Sequence, residues 1–137
     1  MDDQEERIAS IFNMDEVPEV SEETLKPYLQ YIKDNMDDTC EITGIEDFEW
    51  EEYYIIGPGS KKEHEELRKT YPSYMDIYKV IEFEEDPDEE YGILVSLKRT
   101  SDGKTFTLPL ADLTAKDKKH PSYRMLDDYA VWFVNWK

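Results

Sequence analysis

Cysteine is nearly absent. Cys40 is the lone thiol, so no intrachain disulfide can form and nothing points to an oxidising compartment. Long apolar runs are missing as well, since no stretch approaches the roughly 18 apolar residues of a membrane span. The opening residues, MDDQEERIAS, carry neither the basic flank nor the apolar run of a secretory signal, and the chain reads as soluble and cytoplasmic. Its 2 histidines, His64 and His120, stand in no zinc-binding spacing. Positive charge is in short supply, with 16 Lys and Arg against 34 Asp and Glu and a net charge of -18. Such a field repels nucleic acid and anionic membrane, and attracts metal ions or basic protein surfaces.

What is present argues for a folded molecule. A chain of 137 residues, 39% apolar and 13% aromatic, is long enough for one domain with one core and too apolar for intrinsic disorder. The charge is uneven: residues 1–56 hold 18 acids and 3 bases, residues 57–90 hold 11 and 5, and residues 91–137 hold 5 and 8. The negative field therefore belongs to the first two thirds of the chain.

Residues 4–13 have the spacing of a short amphipathic helix through Ile8, Ile11 and Phe12, and Pro18 ends it. Ser21 is suited to cap a second helix that runs to about Met36 with Leu25, Tyr28, Leu29 and Ile32 as its buried stripe, Pro27 sitting awkwardly inside. A strand is expected over 39–45 and a second extended segment over Tyr53–Ile56. The run GPGSKKEHEEL resembles a phosphate loop only loosely. Its glycine spacing is incomplete, its helix opens with glutamates, and Ser60 with Glu63 explains it as a capping box leading a helix near 61–70. From Asp76 the period becomes two, giving strands through Ile77–Phe83 and Tyr91–Leu97, and Asp102-Gly103 forms a hairpin turn into Thr105–Leu108. LPLADLTA reads as a strand closing through a tight helical turn, 112–124 as a surface loop, and Tyr129–Asn135 as a last strand apolar on both faces. The fold class this gives is α+β: N-terminal helices (1–36) packed on a small, strongly bent antiparallel sheet within 37–137, of which an SH3-like barrel is one form.

Two acidic clusters carry the chemistry. In DDTCEITGIEDFEWEE, residues 37–52, eight carboxylates surround Cys40, Ile42, Ile45, Phe48 and Trp50 with no base among them. Asp37 and Asp38 fall at a helix C-terminus, whose unpaired carbonyls make two aspartates unfavourable unless a cation neutralises them. Hard oxygen donors of this kind suit Ca2+, which takes six to eight of them in a flexible shell. Asp38 is the leading ligand, with Asp37 and Glu41 beside it and Glu46 and Asp47 in the following turn, while Glu49, Glu51 and Glu52 are expected to face solvent. The second cluster is EEDPDEE, where Glu84, Asp86, Asp88 and Glu90 alternate around Pro87 and offer a second site with Glu84, Asp86 and Asp88 as its ligands, or else a charged hairpin tip. Asp127-Asp128 is placed to meet the first cluster in space. No EF-hand loop exists. Cys40 among carboxylates is a poor nucleophile, and no enzyme is indicated.

On ITGIEDFEWEE (42–52), TYPSYMD (70–76), SDGKTFTLPLADL (101–113) and LDDYAVWFVN (126–135), the chain resembles the cyanobacterial calcium-binding family CcbP and its bacterial relatives over most of its length. The resemblance implies intracellular calcium binding without EF-hands, by a buffer or reservoir that sets free calcium during differentiation in filamentous nitrogen-fixing cyanobacteria. A monomer is expected. The alternative is an acidic protein whose face covers a basic partner or mimics nucleic acid.

Overall fold

The computed structural model describes residues 2–137. Five α-helices and a five-stranded antiparallel sheet follow the order α1 (Asp3–Ile11), α2 (Glu22–Asn35), β1 (Glu41–Gly44), α3 (Glu52–Ile55), α4 (Lys61–Leu67), β2 (Tyr78–Phe83), β3 (Leu94–Arg99), β4 (Thr105–Pro109), β5 (Leu113–Ala115) and α5 (Tyr123–Asn135). Single 3-10 turns precede α3 (Glu49–Glu51) and β5 (Leu110–Asp112).

α2 forms where its cap dictates. The Ser21 hydroxyl accepts from the Thr24 N–H, and the Thr24 hydroxyl accepts from the Ser21 N–H, so two otherwise orphaned donors are satisfied. Leu25, Tyr28, Leu29 and Ile32 are its buried face, and Pro27 forfeits one helical bond.

The sheet runs β4-β3-β2-β1-β5. β4 and β5 are free edges, so the sheet stays open and the barrel form does not occur. β3 and β4 make the hairpin, closed by Gly103 at a positive φ of 76°. Ile42, Tyr78, Val95, Leu97 and Leu113 join Leu25, Tyr28, Ile32, Leu126 and Trp132 in one core.

Two expected extended segments are helical. Tyr129–Asn135 lies in α5, because Leu126, Tyr129, Ala130 and Phe133 recur at three- and four-residue intervals and are all buried. Trp132 is buried as well, its indole N–H donating to the Pro18 carbonyl at 2.9 Å, which is why the run reads as apolar on every side. The supposed 112–124 loop accordingly contains β5 and the start of α5. Tyr53–Ile56 belongs to α3 and its C-terminal end, in a chain already turning helically from Phe48, whose N–H donates to the Glu51 carboxylate.

Besides packing on β5, α5 makes a tight contact with the segment leading into β3. The Tyr129 hydroxyl accepts from the Ile93 N–H at 2.9 Å, and Gly92, at φ 73°, lets the backbone pass where a Cβ would stand 2.4 Å from the Phe133 ring.

Candidate functional site

The antiparallel register brings the two acidic clusters of the sequence together. Glu41 is level with Lys79 and Ile42 with Tyr78, so residues preceding β1 lie beside residues following Lys79. Asp38 thereby shares a groove of about 830 Å³ with Glu82, Glu84, Glu85 and Asp86. Its floor is Val80, Phe83 and Leu94, and Lys33 is the single cation on its wall. Glu84 accepts from the Ser96 hydroxyl at 3.2 Å. Among the described residues, the other four carboxylates take no hydrogen bond or ion pair, so their oxygens remain available.

Glu46 and Asp47 lie elsewhere, in a second hollow of about 800 Å³. Glu49 and Glu52 line it from the same segment, Glu90 from the loop before β3, Asp112 from the 3-10 turn before β5, and Asp127 from α5. The Asp112 carboxyl is held above the ordinary carboxylate range by its partial burial and by the charges of Glu46 and Glu49. The Tyr91 phenol is pushed up by Glu90 and Glu49. One cation, Lys137, borders the hollow, and it is engaged, donating to the Glu90 carbonyl and lying 4.3 Å over the Phe133 ring.

The remaining expected ligands stand outside both depressions. Asp37 Oδ1 accepts from the N–H and hydroxyl of Thr39 at 2.8 and 2.7 Å, and these bonds lower its pKa with help from His120. Asp88 Oδ1 accepts from the N–H groups of Glu90 and Tyr91, fixing the turn of its own loop. Glu41 is half-buried on β1 opposite Lys79. Asp127 meets Glu46 and Asp47 as the sequence suggested, but Asp128 turns to α1, where Arg7 grips both its oxygens at 2.9 Å. Among the described residues, no three acidic, histidine or cysteine side chains already form a metal-holding group.

Glu51 is fully buried, contrary to the expectation that it faces solvent. Its oxygens accept from the N–H groups of Phe48 and Tyr74 and from the Ser73 hydroxyl, and His64 Nε2 lies 3.0 Å away. This carboxylate builds the fold. Asp76 and Asp102 do the same by holding the buried Arg99 guanidinium. The Cys40 thiol is buried and pushed up to about 11, by burial first and then by Asp37, Asp117 and Glu41, which makes it a weak nucleophile. Sequence reading named Glu90 in the second cluster but did not choose it as a ligand, and it missed Glu82, Glu85 and Asp112 as members of the grooves. Glu82 and Glu85 were legible as neighbours of the 84–88 run, whereas Asp112 had no local signal.

The molecule is thus an α+β protein with an open antiparallel sheet and two carboxylate-lined depressions, and among the described residues no helix is long and apolar enough to cross a membrane. No family model, no curated protein and no solved structure matches the chain.

Proposed function

We propose that this protein binds calcium without EF-hands and serves in the cytoplasm as a monomeric buffer of the free ion. The observation that carries the reading is the groove in which Asp38 meets Glu82, Glu84, Glu85 and Asp86, five carboxylates facing one lysine. Calcium accepts irregular shells of six to eight oxygens, so carboxylates spread along a groove can close on it without a preset motif. Two of them, Glu85 and Asp86, sit on the exposed loop after β2. The hollow beside Glu46 offers a second, weaker position, where an ion relieves the repulsion felt at Asp112. The resemblance to the cyanobacterial family extends the reading to calcium control during cell differentiation. No covalent chemistry is assigned to the chain.

Dissociation constants on the order of 10⁻⁷ to 10⁻⁴ M are expected for sites of this ligand type. Calorimetric titration with calcium in a magnesium-containing buffer reports stoichiometry and affinity together. Asp38→Asn should weaken the tighter site about ten-fold or more, and millimolar calcium should raise the melting midpoint at constant ionic strength. A midpoint indifferent to calcium overturns the proposal.

A further inference from the structure

Between the two acidic depressions the surface changes character. Phe48, Trp50, Pro72, Tyr91, Leu108 and Pro109 line an open trough of about 710 Å³ walled mainly by carbon. Leu94 and Thr107 belong to both this trough and the groove beside Asp38. Glu49, Tyr91 and Asp112 belong to both the trough and the hollow beside Glu46. The three depressions therefore adjoin one another, and the channel they outline is carbon-walled in the middle with carboxylates at each end.

Aromatic surface is presented to solvent along it. Tyr91 is 47% exposed, and Tyr71, whose ring centre lies 5.5 Å from that of Trp50, is 50% exposed. The adjoining segment also exposes Tyr53, Ile55 and Ile56. Exposed rings and aliphatic groups gathered around such a trough mark interaction surfaces.

Charge and shape together identify the occupant. A metal ion uses only the acidic ends and leaves the carbon-walled middle unmatched. A basic peptide matches both: its arginine and lysine heads meet carboxylates, their aliphatic stems and guanidinium planes lie on aromatic faces, and an apolar side chain fills the centre. The open, elongated form suits a segment of chain lying across the surface. We propose that the channel docks an extended basic segment of a partner protein, with an apolar side chain between Trp50 and Tyr91, basic residues reaching Glu49 and Asp112 on one side and Glu82 and Asp86 on the other. This goes beyond calcium binding and does not rest on it, although an ion in either end competes with the segment.

The test uses two fluorescein-labelled pentapeptides, Lys-Arg-Phe-Arg-Lys and Lys-Arg-Ser-Arg-Lys, titrated with the full chain in chelator at low salt and followed by anisotropy. The two probes carry equal charge and differ only in the apolar anchor. The expected result is about ten-fold tighter binding of the phenylalanine peptide. Tyr91→Ala, which deletes a solvent-facing ring with no side-chain hydrogen bond, should reduce that preference to about two-fold, with the thermal melt verifying the fold. Glu49→Gln should weaken both peptides several-fold and flatten their salt dependence. Equal binding of the two peptides overturns the proposal, as does a preference that survives Tyr91→Ala. Displacement of the phenylalanine peptide by equimolar spermine overturns it too, because the site then selects small amines. Chelator excludes calcium throughout, so these outcomes are separate from those of the calcium titration.

Discussion

Glu51 satisfies two backbone N–H groups, a serine hydroxyl and a histidine with one buried carboxylate. Glu51→Ala leaves those partners without an acceptor in a dry interior, and should destabilise the fold by about 3–5 kcal/mol in urea unfolding. Asp112 is the opposite case. Its pKa in the folded state is raised by partial burial, Glu46 and Glu49, so its contribution to stability is full in acid and is lost as pH rises through the raised value. Asp112→Asn should therefore raise the melting temperature at neutral pH, with the gain vanishing below the ordinary carboxylate range. A melting series between pH 3 and pH 8, on the order of the range over which aspartates titrate, reads both limbs. A neighbouring calcium ion should remove much of the gain, since ion and substitution relieve the same repulsion. That two acids in one chain have opposite roles was not legible from composition. Glu51 lies among glutamates in the sequence, and only the 3-10 turn at Glu49–Glu51 rotates it inward while Glu49 stays exposed.

Elements were readable where end signals and period agreed. α2 has Ser21 at its start, acids in its first turn and a clean apolar stripe, and it was expected almost to the residue. The hairpin between β3 and β4 followed from Asp102-Gly103. α5 was not readable in the same way, because an apolar run such as YAVWFV fits a strand buried on two faces as well as a helix buried on most sides, and its cap residue Ser122 forms no capping hydrogen bond. The contact that locks this helix to the sheet is specific enough to test. Gly92→Ala drives a Cβ into the Phe133 ring at a backbone angle that side chains rarely adopt. It should destabilise the protein by about 2–4 kcal/mol in denaturant unfolding, while alanine at Gly103, with its nearest neighbour 3.6 Å away on a flexible lysine, should carry the backbone penalty alone.

At the scale of the whole molecule, a charge of -18 spread unevenly over the chain makes the native state self-repelling. Sodium chloride raised from about 20 to about 200 mM should increase the melting temperature through screening alone. Calcium at a hundredth of that concentration should do as much, if it binds the grooves rather than the general field. The candidate site was legible as residue types and not as a place. The acids of 37–52 and 84–88 were evident, but which of them converge depends on the β1 and β2 register, which sends Asp38 toward Glu84 and Asp86 and leaves Glu46 and Asp47 in a separate hollow. Such pairing is a property of strands distant in sequence, beyond any window of local pattern. The same sheet ties the acidic loop to the centre of the protein. Asp88 and Gly92 exchange backbone hydrogen bonds across the loop, and the next residue, Ile93, donates its N–H to the buried Tyr129 hydroxyl. A tightening of the loop should therefore perturb the Tyr129 phenol in the core, and an ultraviolet difference spectrum that Tyr129→Phe abolishes is the expected gauge of whether that loop is held.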